Sequence, residues 1–61
     1  MKYRILATTE NKYVGLLATS DLFSLFMEDG NEFEITGRIH LGSGKWKFWN
    51  ETQIFEVITE I

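Results

Sequence analysis

The chain reads as a mainly β protein with one short helix: a small curled antiparallel sheet, or a partly open barrel, of about four or five strands, with the helix at about 20–29. Three observations lead there. Apolar and polar residues alternate along several short runs. Glycine-containing turns separate those runs. One stretch, "SDLFSLFMEDG", departs from alternation and spaces its apolar residues as a helix would.

Lys2 to Thr9 is the first expected strand, with Tyr3, Ile5 and Ala7 on one face and Lys2, Arg4 and Thr8 on the other; Leu6 interrupts the polar side. "ENK" at 10–12 is a short turn. Tyr13 to Thr19 reads as a second strand, apolar on both faces, with Gly15 as a bulge or close-contact point. In the helical stretch, Leu22, Phe23, Leu25, Phe26 and Met27 fill one wide arc and Asp21, Ser24 and Glu28 fall opposite. Ser20 serves as N-cap, Asp21 sits at the positive dipole end, and Gly30 follows as C′. Two turns are too short to be stable alone, so this helix must dock on the sheet. A two-sided apolar strand is the rival reading.

"NEFEITGRIHL" is the clearest strand. Phe33, Ile35, Ile39 and Leu41 alternate with Glu32, Glu34, Thr36, Arg38 and His40, and Gly37 on the apolar face invites a bend. Gly42–Gly44 turns the chain into "KWKFWN". There Trp46 and Phe48 face inward beside Ile39 and Leu41, while Lys45, Lys47 and Trp49 face outward. Asn50–Thr52 turns again. It also fits the N-glycosylation pattern, which without a secretory signal is read as a turn alone. Gln53 to Ile61 closes the sequence, with Ile54, Ile58, Glu56 and Glu60 on one face and Phe55, Val57 and Ile61 on the other.

Sixty-one residues make one domain, 1–61. A domain this small is marginal and is commonly stapled by disulfides, a metal or a partner chain. The chain has no cysteine and one histidine, so disulfides and the familiar zinc spacings are excluded and no metal or cofactor is expected. Dense aromatic packing remains, with 15% aromatics to supply it, and so does self-association. The net charge of −3 argues against non-specific nucleic-acid binding, which draws its affinity from basic surface. "MKYRILATTE" has no signal-peptide core and no apolar run reaches membrane-span length, so a cytoplasmic location without membrane insertion is expected.

Catalytic motifs fail on inspection. "GSGK" lacks the earlier P-loop glycine, and Trp46 stands where the magnesium-binding hydroxyl belongs. "EDGNEFE" places Gly30 too early for a calcium loop, and Phe33 interrupts its acids. No nucleophile–base set has an interpretable spacing, so enzyme activity is not expected.

Two surfaces are left as candidates for binding a protein partner. One is Lys45, Lys47 and Trp49, where tryptophan flanked by cations has the composition of an interface anchor. The other is the acidic band of Glu28, Asp29, Glu32 and Glu34, suited to steering onto a basic surface. Ordinary solvated surface is the bland alternative for both. A homo-oligomeric structural protein is the second reading, with a homodimer expected because the terminal strand is apolar on both faces. Single-stranded nucleic acid is a third reading, because "KWKFWN" interleaves cations with rings.

"KYRILATTENKYVG", residues 2–15, resembles the openings of short tailed-bacteriophage accessory proteins. The resemblance implies a phage-encoded inhibitor or modulator acting on a protein in the host cytoplasm.

Overall fold

A computed structural model describes residues 2–60. Seven strands form one antiparallel sheet: β1 (Lys2–Thr8), β2 (Leu17–Ser20), β3 (Ser24–Met27), β4 (Glu32–Glu34), β5 (Gly37–Gly42), β6 (Lys45–Trp49) and β7 (Ile54–Thr59). The spatial order is β4-β3-β2-β1-β7-β6-β5. Consecutive strands β4 and β5 therefore lie at opposite edges, joined only through Ile35 and Thr36. Three backbone steps from Glu34 to Gly37 span at most about 11 Å. The sheet must curl until its edges nearly meet, although its ladder does not close. Side chains bridge the seam: Asn50 Nδ2 donates to the Glu34 carbonyl at 2.7 Å, and Arg38 donates to the Asp21 carbonyl at 3.3 Å and to the Leu22 carbonyl. The Ile35 N–H to Phe23 carbonyl and Thr36 N–H to Trp49 carbonyl bonds extend the β3–β4 and β5–β6 ladders into the link.

The inner face of the curl is the core. Phe48, Phe55, Ile5, Leu25 and Val57 are almost wholly enclosed, with Tyr3, Tyr13, Ala18, Met27 and Ile35 around them. Two pairs of its aromatic rings meet edge to face, Tyr3 on Phe48 at 5.4 Å and Tyr13 on Phe33 at 5.1 Å between centroids.

The β class stands, but the strand count is seven and residues 20–29 are not helical. Leu25 and Met27 are buried while Phe26 between them is exposed, the period of a strand. Pairing with β2 on one side and β4 on the other satisfies the backbone of β3, which a two-turn helix does poorly. The residues expected to cap a helix shape turns instead. Asp21 Oδ1 accepts from the Phe23 and Ser24 N–H groups, and Gly30, at φ 96°, closes the β3–β4 hairpin. Leu22 and Phe23 are left 71% and 69% exposed at the β2–β3 tip.

Three further expectations change. Tyr13 belongs to a 3₁₀ turn over Asn11–Tyr13, and β2 begins only at Leu17. A register shift between Ile5 and Ala7 turns Ala7 outward. The 32–41 run breaks into two strands at Ile35–Thr36, and the switch of edges reverses the alternation. Beyond it Arg38 and His40 lie over the rings of Phe48 and Trp46, so Ile39 and Leu41 point outward. Trp46 is half-buried against the core rather than within it. Ile61 lies outside the described residues.

Candidate functional site

The strands β5, β6 and β7 carry a continuous outer face whose register is set by two hairpins. Gly42, Ser43 and Gly44 all take positive φ (88°, 54° and 78°), the conformations that reverse β5 into β6. At the other hairpin, the Asn50 carboxamide oxygen accepts from the Thr52 and Gln53 N–H groups, reversing β6 into β7.

Three rows of side chains result. Trp49 lies opposite Gly37 on β5 and Ile54 on β7. Lys47 lies opposite Ile39 and Glu56, with Ala7 of β1 beyond. Lys45 lies opposite Gly42 and Ile58, with Arg4 beyond. Ile39, Leu41 and Ile54 are each about half exposed, at 51%, 49% and 48%, and Leu6 of β1 is exposed beside them. Trp49 is half-buried because its indole lies across Gly37, where a Cβ would fill the same space.

The charges on this face are of both signs. Lys47 and Glu56 are cross-strand neighbours, yet neither they nor Lys45 form an ion pair within 4 Å among the described residues. Glu60 is held by Arg4 at 3.0 Å, and Arg4 also donates to the Gly15 carbonyl at 2.7 Å.

The acidic band is differently employed. Glu28 Oε2 accepts from the Leu17 N–H at 2.9 Å, and Asp29 accepts from the backbone and side chain of Asn31. Asp29 shapes the β3–β4 turn, and Glu28 ties the end of β3 to the start of β2. Glu32 and Glu34 stand exposed on the edge strand β4. A shallow groove of about 290 Å³ runs beside the turn, lined by Leu17, Thr19, Phe26 and the aliphatic stem of Lys2.

Lys45, Lys47 and Trp49 thus come together as the centre of a larger patch, while Glu28, Asp29, Glu32 and Glu34 form a turn and an edge. Sequence reasoning missed Ile39 and Leu41 because it carried one alternation through Gly37. That glycine was the available signal of a break. It also missed Leu22 and Phe23, whose signal was Asp21 placed two and three residues before the N–H groups it binds.

Among the described residues, no three His, Cys, Asp or Glu side chains gather to hold a metal ion, and no helix is long and apolar enough to cross a membrane. The His40 ring stacks on Trp46 at 4.6 Å. No family model matches the chain, and no match is found among curated proteins or solved structures.

Proposed function

We propose that the chain is a non-catalytic protein-binding module that engages another polypeptide through the outer face of β5, β6 and β7. The observation that carries this reading is the exposure of Ile39, Leu41 and Ile54 together on one rigid face around Lys47 and Trp49. Contiguous exposed apolar surface is costly in water and marks interaction sites. Isoleucine is stiff at χ1 and the strands are locked by pairing, so little conformational entropy is lost on docking. The lysine stems add apolar contact while their ammonium groups stay in water.

A protein partner fits this surface better than a nucleic acid. Trp46 and Phe48 belong to the inner side, and Trp49 is spread over Gly37, so the outer face offers no series of free rings on which bases could stack. The N-terminal likeness to tailed-phage accessory proteins points the same way, toward a small chain that modulates a larger host protein.

The test compares immobilised wild type with an Ile39→Glu/Ile54→Lys chain in a lysate of the natural host, followed by titration with the purified captured protein. The expected result is a protein that binds wild type with a micromolar or tighter constant and is lost by the double variant, whose circular dichroism and Tm are unchanged. Equal capture by both chains, or no capture by either, refutes the reading.

A further inference from the structure

We infer that a second copy of this chain docks on the β5–β6–β7 face, forming an isologous dimer in which Lys47 of each copy meets Glu56 of the other. The inference rests on reading this face as a binding surface and names one occupant for it.

The argument is one of self-complementarity. A two-fold axis between face-to-face sheets lies in the plane between them. Let it run parallel to the strands, along the line separating β6 from β7. Rotation then places β6 of one copy over β7 of the other, each residue keeping its level along the strands. The observed register makes every level compatible. Lys47 and Glu56 share a level, so each lysine faces the mate's glutamate. Trp49 and Ile54 share the next, so each isoleucine comes over the mate's Trp49 position, beside the indole that lies across Gly37. Lys45 and Ile58 share the third, where the lysine stem lies along the isoleucine and its ammonium reaches the rim. On the flanks β5 falls over the mate's β1, where the curl carries the two faces apart, so Ile39 and Ala7 lie at the rim of the contact. Sheets that pack face to face sit about 10 Å apart with strands rotated by about 30°, which keeps the central rows in contact.

Charge selects this occupant. Glutamates on a strand that meets its own copy would repel if they stood alone. Here Lys47 stands level with Glu56, and Arg4 already holds Glu60. A surface whose centre sets the Lys47 cation beside the Glu56 anion, with Lys45 at its rim, suits neither a purely acidic nor a purely basic partner, but its centre suits itself after a two-fold rotation. Area sets the strength. A stable interface takes about 800 Å² from each partner. That is about one-fifth of this chain's 3944 Å² surface, and a convex face supplies it only with all of its central strands. The interface is therefore at the small end of stable ones. Self-pairing and capture of another protein use one surface and exclude each other.

The experiment is sedimentation equilibrium between about 5 and 500 μM on wild type, on Lys47→Glu, on Glu56→Lys, and on a 1:1 mixture of the two variants. Wild type is expected to pass from the 7.1 kDa monomer to twice that mass as concentration rises. Each variant alone places like charges in contact and is expected to weaken the dimer by about 10- to 100-fold. The mixture restores opposite charges across the axis and is expected to recover heterodimer at near wild-type strength. Misfolding does not produce that recovery, so a fold defect and a lost contact are told apart. Wild type that stays monomeric throughout, single variants that dimerise as wild type does, or a mixture without recovery each overturn the inference. Monomeric wild type that still captures a protein lost by Ile39→Glu/Ile54→Lys removes the dimer and leaves the binding module standing. Monomeric wild type that captures nothing removes both.

Discussion

Gly37 offers the sharpest test of the outer face. A Cβ built there meets the Trp49 indole, with Nε1 at 2.6 Å and Cε2 and Cζ2 closer still. Ordinary contact begins near 3.4 Å, so the ring must retreat by about 1 Å or leave its site. Trp49 stands between Gly37 on β5 and Ile54 on β7, and Gly37 sits where the chain changes from one sheet edge to the other. Overpacking of this kind costs about 1–3 kcal/mol. Against it stands the removal of a glycine from a strand, worth about 0.5–1 kcal/mol in favour of alanine. The net expectation for Gly37→Ala is a loss of about 1–2 kcal/mol, or a Tm lower by roughly 4–15 °C in a domain of this size. In a Trp49→Ala background the obstruction is gone, and the same substitution should become neutral or stabilising by about 0.5 kcal/mol. Urea unfolding followed by far-ultraviolet circular dichroism on the four chains of this cycle gives the coupling directly, expected near 2 kcal/mol. A Gly37→Ala chain as stable as wild type, or a loss that persists without Trp49, refutes the placement of the indole over Gly37.

Three other expectations are cheaper to check. Phe48→Ala should lose about 3–5 kcal/mol, enough to unfold much of a marginal domain, while Ile39→Ser should stay within about 0.5 kcal/mol of wild type in the same urea titration. The opposite order would place the alternation of β5 and β6 the wrong way round. Asp21→Ala removes the acceptor for two N–H groups at the β2–β3 tip and should cost about 1 kcal/mol, read as a Tm drop that Asp21→Asn largely avoids. Leu22→Ser and Phe23→Ser, at the most exposed apolar positions, should leave Tm within a few degrees of wild type; a large loss would mean that this tip packs on the core.

How much of this was legible depended on whether local pattern or sheet curvature decided each element. "KWKFWN" was readable because a tight glycine turn precedes it and its alternation is uninterrupted: Phe48 is inside and Lys45 and Lys47 are outside. The terminal strand was readable for the same reason, with Phe55 and Val57 fully buried and Ile54 exposed. "LFSLFM" was not. Its apolar residues fit a helical arc and a strand face alike, and the choice falls to long-range pairing with β2 and β4, which no local propensity contains. The outward turn of Ile39 and Leu41 was illegible for a different reason. It follows from the crossing between sheet edges at Ile35–Thr36, a feature of the curled sheet rather than of the 32–41 run. The register shift after Ile5 belongs with it, since bulges accommodate curl and shift the faces beyond them.

The same curvature explains why association should use a face and not an edge. An open sheet is normally vulnerable along its edges, where unpaired N–H and carbonyl groups template other strands. Here one edge, β4, is three residues long and carries Glu32 and Glu34, which place like charge against any copy of itself. The other edge, β5, is drawn to within a few residues of the first by the Ile35–Thr36 link, and Arg38 turns across to donate to the Asp21 and Leu22 carbonyls of the β2–β3 tip. Strand addition at either side must therefore overcome charge or displace a loop. The outer face has no such guard at its centre, where Ile39, Ile54 and Trp49 surround one lysine and one glutamate. On this reading the acidic residues keep the edges apart, and the isoleucines hold the contact. Neutralising the edge with Glu32→Gln/Glu34→Gln should accordingly leave the sedimentation equilibrium of the chain unchanged below about 500 μM, whereas Ile54→Lys should shift it toward monomer. Association that strengthens on loss of the two glutamates and ignores Ile54 would move the contact from the face to the β4 edge.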